Sequence, residues 1–157
     1  MSVYLVARST HIVAMVLTLT LIMATEPLFV SAARAQDIKH LAQRYRLAQR
    51  LQQFSQLTTL VGLVAGVVMV VLAGWNPLAP WLLVTYSLLM VMSIIGRIGM
   101  VPWQRQMHHA LHLSEGHMVL ADVRALVADR RAIAARFAVI AIFIMIIIVM
   151  REKPSFG

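Results

Sequence analysis

The chain has 157 residues, of which 61% are hydrophobic and only 13% are charged, and its net charge is +8. A small soluble domain buries too little of its surface to hide so much apolar area, so this composition excludes a soluble globular protein. The chain contains no cysteine, which excludes disulfides, thiol catalysis, iron–sulfur clusters and cysteine-bound metals.

Four apolar segments follow one another along the chain, at about residues 3–30, 57–73, 81–101 and 132–150. Each is close to the ~20 residues that a helix needs to cross the hydrocarbon core. Because lipid offers no hydrogen-bond partner to exposed backbone, these segments are predicted to be helices. The chain is therefore predicted to be a single all-α domain with four transmembrane helices.

The end of the first segment resembles a signal-peptidase site, since alanines flank Arg34 in the sequence ARAQD. Cleavage there would place the basic stretch 39–50 outside the cell, against the positive-inside bias. We therefore expect the first segment to be retained as a helix over residues 3–33. Asp37 is then placed to cap the second helix.

The connectors on one side of the membrane are predicted to be helical extensions rather than loops. Apolar residues at helical spacing, with no Gly or Pro between residues 38 and 56, predict a second helix over 38–73. Its length of roughly 50 Å exceeds a ~30 Å hydrocarbon core. The third and fourth helices are expected over 81–113 and 117–150. The predicted fold is a bundle of two long helical hairpins whose extensions share one side.

The positive charges predict which side that is. Residues 34–56 carry five Lys or Arg and residues 102–131 carry four, against two or three at the other ends of the helices. The extensions are therefore expected in the cytoplasm and the termini outside, in a bacterial inner membrane. Because the basic residues flank apolar segments, they indicate contact with anionic lipid and not with nucleic acid.

Three ionisable residues are predicted at a similar membrane depth, near the cytoplasmic ends of helices one, three and four. They are Glu26, Arg97 and Arg136. An unpaired charge at such a depth costs about 3 kcal/mol on insertion scales, so Glu26 is expected to face the interior and contact Arg97, or failing that Arg136. Such a pair would fix helix packing; the alternative is a substrate-anion site or a proton relay.

Histidines supply two further candidate sites. His11, early in helix one, is a candidate haem or metal ligand, or a hydrogen-bond donor across helices. His108, His112 and Glu115 lie at i, i+4 and i+7, so one helical face could chelate a metal, or form a titratable surface.

One glycine pair predicts close packing between helices. Gly62 and Gly66 on helix two form the small-xxx-small spacing that lets two helix backbones approach.

Several motifs together resemble an uncharacterised group of small four-helix bacterial membrane proteins. They are the early histidine in STHIVAM, the turn GWNPLAPW, the stretch GRIGMVP and the closing MREKP. That group is distantly similar to copper-resistance D proteins and to four-helix protoporphyrinogen oxidases that bind haem. In those oxidases a first-helix histidine is a haem ligand, which implies this role for His11. They also use a membrane lysine, where this chain has only Arg97 on helix three.

Three functions are consistent with these residues. A non-enzymatic accessory subunit or partner-binding bundle, associated with other membrane subunits or with itself, is favoured because the sequence shows no catalytic constellation. The alternatives are a haem-binding or redox protein centred on His11, and a small transporter or channel component that uses Glu26 and Arg97.

Overall fold

A computed structural model describes residues 2–34, 37–113 and 120–152 of the chain. Within these ranges the regular structure is entirely helical, and four helical runs are long and apolar enough to cross a membrane. The predicted all-α bundle of four membrane-spanning helices is confirmed. Its elements are α1 (Val3–Ala33), α2 (Ile38–Leu72), α3 (Pro80–Ile95), a π-helical turn (Gly96–Met100), α4 (Val101–Leu113), α5 (Leu120–Val127) and α6 (Arg130–Glu152).

The first hairpin is fixed where α1 passes into α2. Asp37 caps α2, because its carboxylate accepts a hydrogen bond from the Lys39 backbone N–H at 3.3 Å. Arg44 donates to the carbonyl oxygen of Ser31 at 2.8 Å. That carbonyl is among the last four of α1, which have no partner within the helix, and a cation is also favoured there by the helix dipole.

A Schellman motif ends α2 and starts the short turn to α3. Gly74 has φ of 63°, and its N–H donates to the carbonyl of Val71, while the N–H of Trp75 donates to Val70. The rings of Trp75 and Trp81 then meet edge to face at 5.5 Å. We call this end of the bundle the turn end. The opposite end, where α1 and α4 end and α2 and α5 begin, is the connector end.

The third span continues through a proline. Pro102 has no N–H to donate and its ring crowds the carbonyl four residues earlier, which disfavours a regular α-helix at this point. The π turn ends two residues before this proline, and the N–H of Val101 donates to the carbonyl of Gly96, five residues back. The span therefore passes from α3 to α4 without a loop.

The fourth span differs from the single helix expected over 117–150. It is interrupted after Val127, and α6 starts afresh at Arg130. The carboxylate of Asp129 accepts from the Arg131 N–H at 2.9 Å, which makes Asp129 a new helix cap. Residues 114–119, which include the start expected for this helix, lie outside the described ranges.

The four spans pack unevenly around the bundle. α1 lies along α2, α6 lies along α3 and the π turn, and α1 also contacts α5 and α6. Across the described residues, α2 does not pack along α3. The spans therefore stand in the order α2, α1, α6, α3, and the side between α2 and α3 is open.

The largest cluster of buried side chains lies at the connector end. It includes Phe29, Tyr45 and Trp103, with apolar residues of α4, α5 and α6 around them. Toward the turn end the buried positions are often small or polar, such as Ala14 and Thr18, while most large apolar side chains point outward. This is the pattern expected in lipid, where small residues let helices approach and apolar side chains need no burial.

The two glycines of the π turn provide a matched test of this packing. A Cβ at Gly99 would lie 2.6 Å from the Cβ of Ala135 on α6, whereas a Cβ at Gly96 would meet nothing within 4 Å. Gly99→Ala should lower stability by about 1–2 kcal/mol, because overpacking outweighs the better helix propensity of alanine. Gly96→Ala should be neutral or stabilising by up to about 1 kcal/mol. Thermal unfolding in detergent measures both, and equal effects would show that α6 does not contact the π turn this closely.

Candidate ligand-binding cleft

The buried ion pair of the bundle joins α1 to α6. Nε of Arg136 lies 3.1 Å from Oε1 and 3.3 Å from Oε2 of Glu26. The side chain of Arg136 is 6% exposed and that of Glu26 is 18% exposed. Glu26 therefore faces the bundle interior and contacts Arg136, the second of the two arginines considered for it.

Aromatic rings surround the charge of Arg136. Its guanidinium carbon lies 4.6 Å from the centre of the Phe29 ring and 5.6 Å from that of Trp103. Both distances are within the range of cation–π attraction, which strengthens when the cation is desolvated. Nη1 of Arg136 is enclosed and has no hydrogen-bond acceptor among the described residues, so the site leaves one donor of a buried cation unmatched.

The ring of Trp103 is held by a polar contact with the fourth span. Its Nε1–H donates to the carbonyl of Leu126 near the end of α5, at 2.6 Å. The ring also meets Phe29 and Tyr45 edge to face at 5.5 and 6.0 Å. The aromatic cluster thus connects α1, α2, α4 and α5 around the cation on α6.

Arg97 is placed differently from Arg136. It lies on the π turn, its side chain is exposed, and it forms no ion pair with Glu26. The reason is the packing of the spans. α1 meets α6 beside Arg136, whereas its ring contact with the third span is made on α4, through Phe29 and Trp103, and not on the π turn. Depth alone could not have distinguished the two arginines.

A cleft of about 390 Å³ opens beside the ion pair. Every one of the four spans contributes to its lining, and Glu26, Arg97 and Arg136 all lie on its wall. The other polar lining residues are Thr25, Gln52, Ser55, Gln56, Thr59, Ser93 and Gln104. The apolar ones include Ile22, Phe29, Met92, Met100, Val101, Val139 and Phe143. We call this the central cleft.

The glutamines of the cleft were not identified from the sequence. Gln104 donates to the side-chain oxygen of Gln52 at 3.1 Å, and this contact bridges the third span and α2 at the connector end. A signal was present, because Gln52, Gln56 and Thr59 are spaced i, i+4 and i+7 and so share one face of α2. Their bridge limits the open side between α2 and α3 at one end.

The candidate haem ligand lies away from the central cleft. Nδ1 of His11 is 2.7 Å from the carbonyl oxygen of Gly62, and since a carbonyl only accepts, this nitrogen carries the proton. A Cβ at Gly66 would lie 3.2 Å from the imidazole. The predicted glycine pair thus faces α1, and the imidazole of His11 packs into the groove that it leaves.

The candidate metal site at the connector end is only partly described. His108 is exposed on α4, the side chain of His112 lies outside the described part, and so does Glu115. Among the described residues no group of three or more His, Asp or Glu is arranged to hold a metal ion. The chelating set therefore stays a prediction.

A double-mutant cycle tests the ion pair. Glu26→Gln should lower stability by about 3 kcal/mol, or roughly 6–12 °C in unfolding temperature, because it leaves the buried charge of Arg136 without its anion. Adding Arg136→Gln should cost less in this background than in the wild type, because the stranded charge is removed. Arg97→Gln is the matched control and should change stability by only about 0.5 kcal/mol in either background. Additive losses for Glu26 and Arg136 would contradict a direct contact.

Comparison with known proteins places the chain in a family without assigning it a reaction. No curated protein matches it, and no solved structure does, so neither comparison extends the resemblance to copper-resistance D proteins or haem-binding oxidases. A family profile described as "Predicted integral membrane protein (DUF2269)" matches residues 5–154. The match covers almost the whole chain, both hairpins and every residue of the central cleft. The protein therefore belongs to the DUF2269 family of predicted integral membrane proteins.

Proposed function

We propose that this protein is a non-enzymatic, partner-binding bundle of the bacterial inner membrane, and that its partner is a small amphipathic molecule held in the central cleft. The observation that carries the proposal is the cleft itself, which is lined by all four spans and has charged groups beside apolar ones. Its volume falls within the range of about 300–1,000 Å³ that is usual for ligand pockets. In this proposal the connector end lies in the cytoplasm, as the positive charges predict.

The chemistry of the lining favours binding over catalysis. Among the described lining residues there is no nucleophile within reach of a histidine or lysine base. The hydroxyl of Ser93 donates to its own helix, to the carbonyl of Leu89 at 2.8 Å. The buried carboxylate, Glu26, is already engaged by Arg136 at 3.1 Å.

A haem or redox protein centred on His11 is the first alternative. Its support is the hydrogen bond from Nδ1 to Gly62, because a ligating histidine commonly donates its other ring N–H to a backbone carbonyl. His11 does not line the central cleft, however, and the same contact is explained by α1–α2 packing. If haem were bound, Nε2 of His11 would be its ligand and the haem would supply redox chemistry.

A small transporter or channel component is the second alternative. Both residues named for it, Glu26 and Arg97, lie on the wall of the cleft. The bridge between Gln52 and Gln104 crosses the connector end of that cleft, which favours a binding site over a continuous pathway.

Two serines on α3 provide a matched test of ligand binding. Ser93 lines the cleft, whereas Ser87 does not, although both are exposed and both donate to the carbonyl four residues earlier. Native mass spectrometry of the purified protein should show a small-molecule adduct in the wild type and in Ser87→Phe. Ser93→Phe should lose it, because the phenyl ring fills the cleft.

Three outcomes would count against the proposal. The first is a wild-type protein without any adduct, and the second is an adduct that persists equally in both phenylalanine variants. The third is a Soret absorption band that disappears in His11→Ala, which would support the haem alternative.

A further inference from the structure

We propose that the central cleft binds the phosphate group of an anionic membrane lipid, a phosphodiester with one negative charge, while the acyl chains leave between α2 and α3. This inference rests on the proposed function and specifies the ligand. Its basis is the charge and the hydrogen-bonding groups of the cleft, together with the apolar residues that lie beside the charged ones.

The charge of the cleft wall calls for an anion. The lining includes two arginines, Arg97 and Arg136, and one carboxylate, that of Glu26. Glu26 is engaged by Arg136 at 3.1 Å, whereas Arg97 has no ion-pair partner among the described residues. The wall therefore carries one net positive charge on a membrane-spanning helix, where an unpaired charge is costly. A monoanionic group would balance it.

The hydrogen-bonding groups of the wall suit an oxyanion. Arg97 lines the cleft and carries a fork-shaped guanidinium group that matches phosphate oxygens. The amide of Gln52 accepts from Gln104 through its oxygen, so its NH₂ group is left to donate. Gln56 and Ser55 add further polar groups to the same wall.

Along α6 the cleft lining changes from charged to apolar in the direction of the turn end. The charged residues Glu26 and Arg136 lie toward the connector end, while the apolar residues Ile22, Val139 and Phe143 lie on the same helices, one to two turns nearer the turn end. A lipid has the same order of polarity, with its phosphate at the interface and its chains toward the bilayer centre. A free anion would gain nothing from the apolar part of the cleft.

The shape of the cleft also favours a lipid over a soluble anion. Its volume of about 390 Å³ is sufficient for a head group and the start of the chains, but not for a whole phospholipid. Since α2 does not pack along α3 in the described ranges, the remaining length of the chains can pass through this open side. A ligand arriving from the bilayer needs no aqueous entrance.

The test uses the purified full-length protein in detergent with three separate probes. They are dioleoylphosphatidylglycerol, dioleoylphosphatidylcholine and inorganic phosphate. Thermal unfolding and native mass spectrometry measure stabilisation and stoichiometry. Phosphatidylglycerol should bind with one molecule per chain and raise the unfolding temperature, while phosphatidylcholine, whose head group is zwitterionic, and free phosphate should have much smaller effects.

Variants of two arginines distinguish binding in the cleft from a general attraction of the protein to anionic lipid. Both Arg97 and Arg105 are exposed residues of the third span, but only Arg97 lines the cleft. Arg97→Gln should weaken phosphatidylglycerol binding about tenfold, equivalent to about 1.4 kcal/mol, and Arg97→Lys should restore part of it. Arg105→Gln should change binding less than about twofold. Unfolding without lipid shows that each variant is folded.

Distinct results would overturn the inference. Equal losses in Arg97→Gln and Arg105→Gln would indicate surface charge only, and equal binding of phosphatidylcholine would remove the preference for an anion. Stabilisation by inorganic phosphate as large as that by lipid would indicate a soluble-anion site. If Ser93→Phe abolishes a native adduct but phosphatidylglycerol does not bind, the lipid inference fails and the proposed function stands.

Discussion

The structure depends on one constraint, which is that the charge of Arg136 must be stabilised where water is largely excluded. Glu26 supplies the opposite charge from α1, and the rings of Phe29 and Trp103 cover the guanidinium. Breaking such a pair strands a buried charge and costs more than forming the pair contributes. The contact therefore fixes which face of α1 meets α6, and through Trp103 it also fixes the position of the third span. The largest buried cluster, which contains Phe29 and Trp103, lies around this point.

The open side of the bundle exists because small residues that allow close helix packing are present at some helix pairs and not at others. Glycine and threonine let α1 lie against α2. Gly62 faces Met15, Gly66 faces His11, and Thr18 and Thr58 share a hydrogen bond of 2.7 Å. Gly99 does the same for the third span against Ala135 of α6. No comparable set of small residues joins α2 to α3 in the described part of the chain, and polar side chains line that gap instead. The central cleft is therefore a consequence of the packing order.

The sequence predicted those features that depend on composition and spacing along one helix. The length of each apolar run predicted the four spans. The position of Asp37 just before an apolar-periodic segment predicted that it caps the start of α2, as it does. Features that depend on which helices pack against each other could not be predicted from the sequence. Glu26 was expected near two arginines of equal depth, and only the contact of α1 with α6 selects Arg136. The break before α6 depends on Asp129 capping a new helix. An aspartate can either cap a new helix or lie within a continuing one, and the sequence alone does not distinguish the two conformations.

The contact between Glu26 and Arg136 is the central claim of this account, and solid-state NMR in lipid bilayers tests it most directly. Dipolar recoupling between ¹³C-labelled glutamate carboxyl carbons and ¹⁵N-labelled arginine side chains should show a strong contact between Glu26 and Arg136. It is distinct from the longer, exposed pair of Arg151 and Glu152 at 3.7 Å. The account predicts that this contact is lost in Glu26→Gln and in Arg136→Lys, where the Nε label is removed, and is unchanged in Arg97→Gln. A contact that is absent from the wild type, or that disappears in Arg97→Gln and survives in Arg136→Lys, would contradict it.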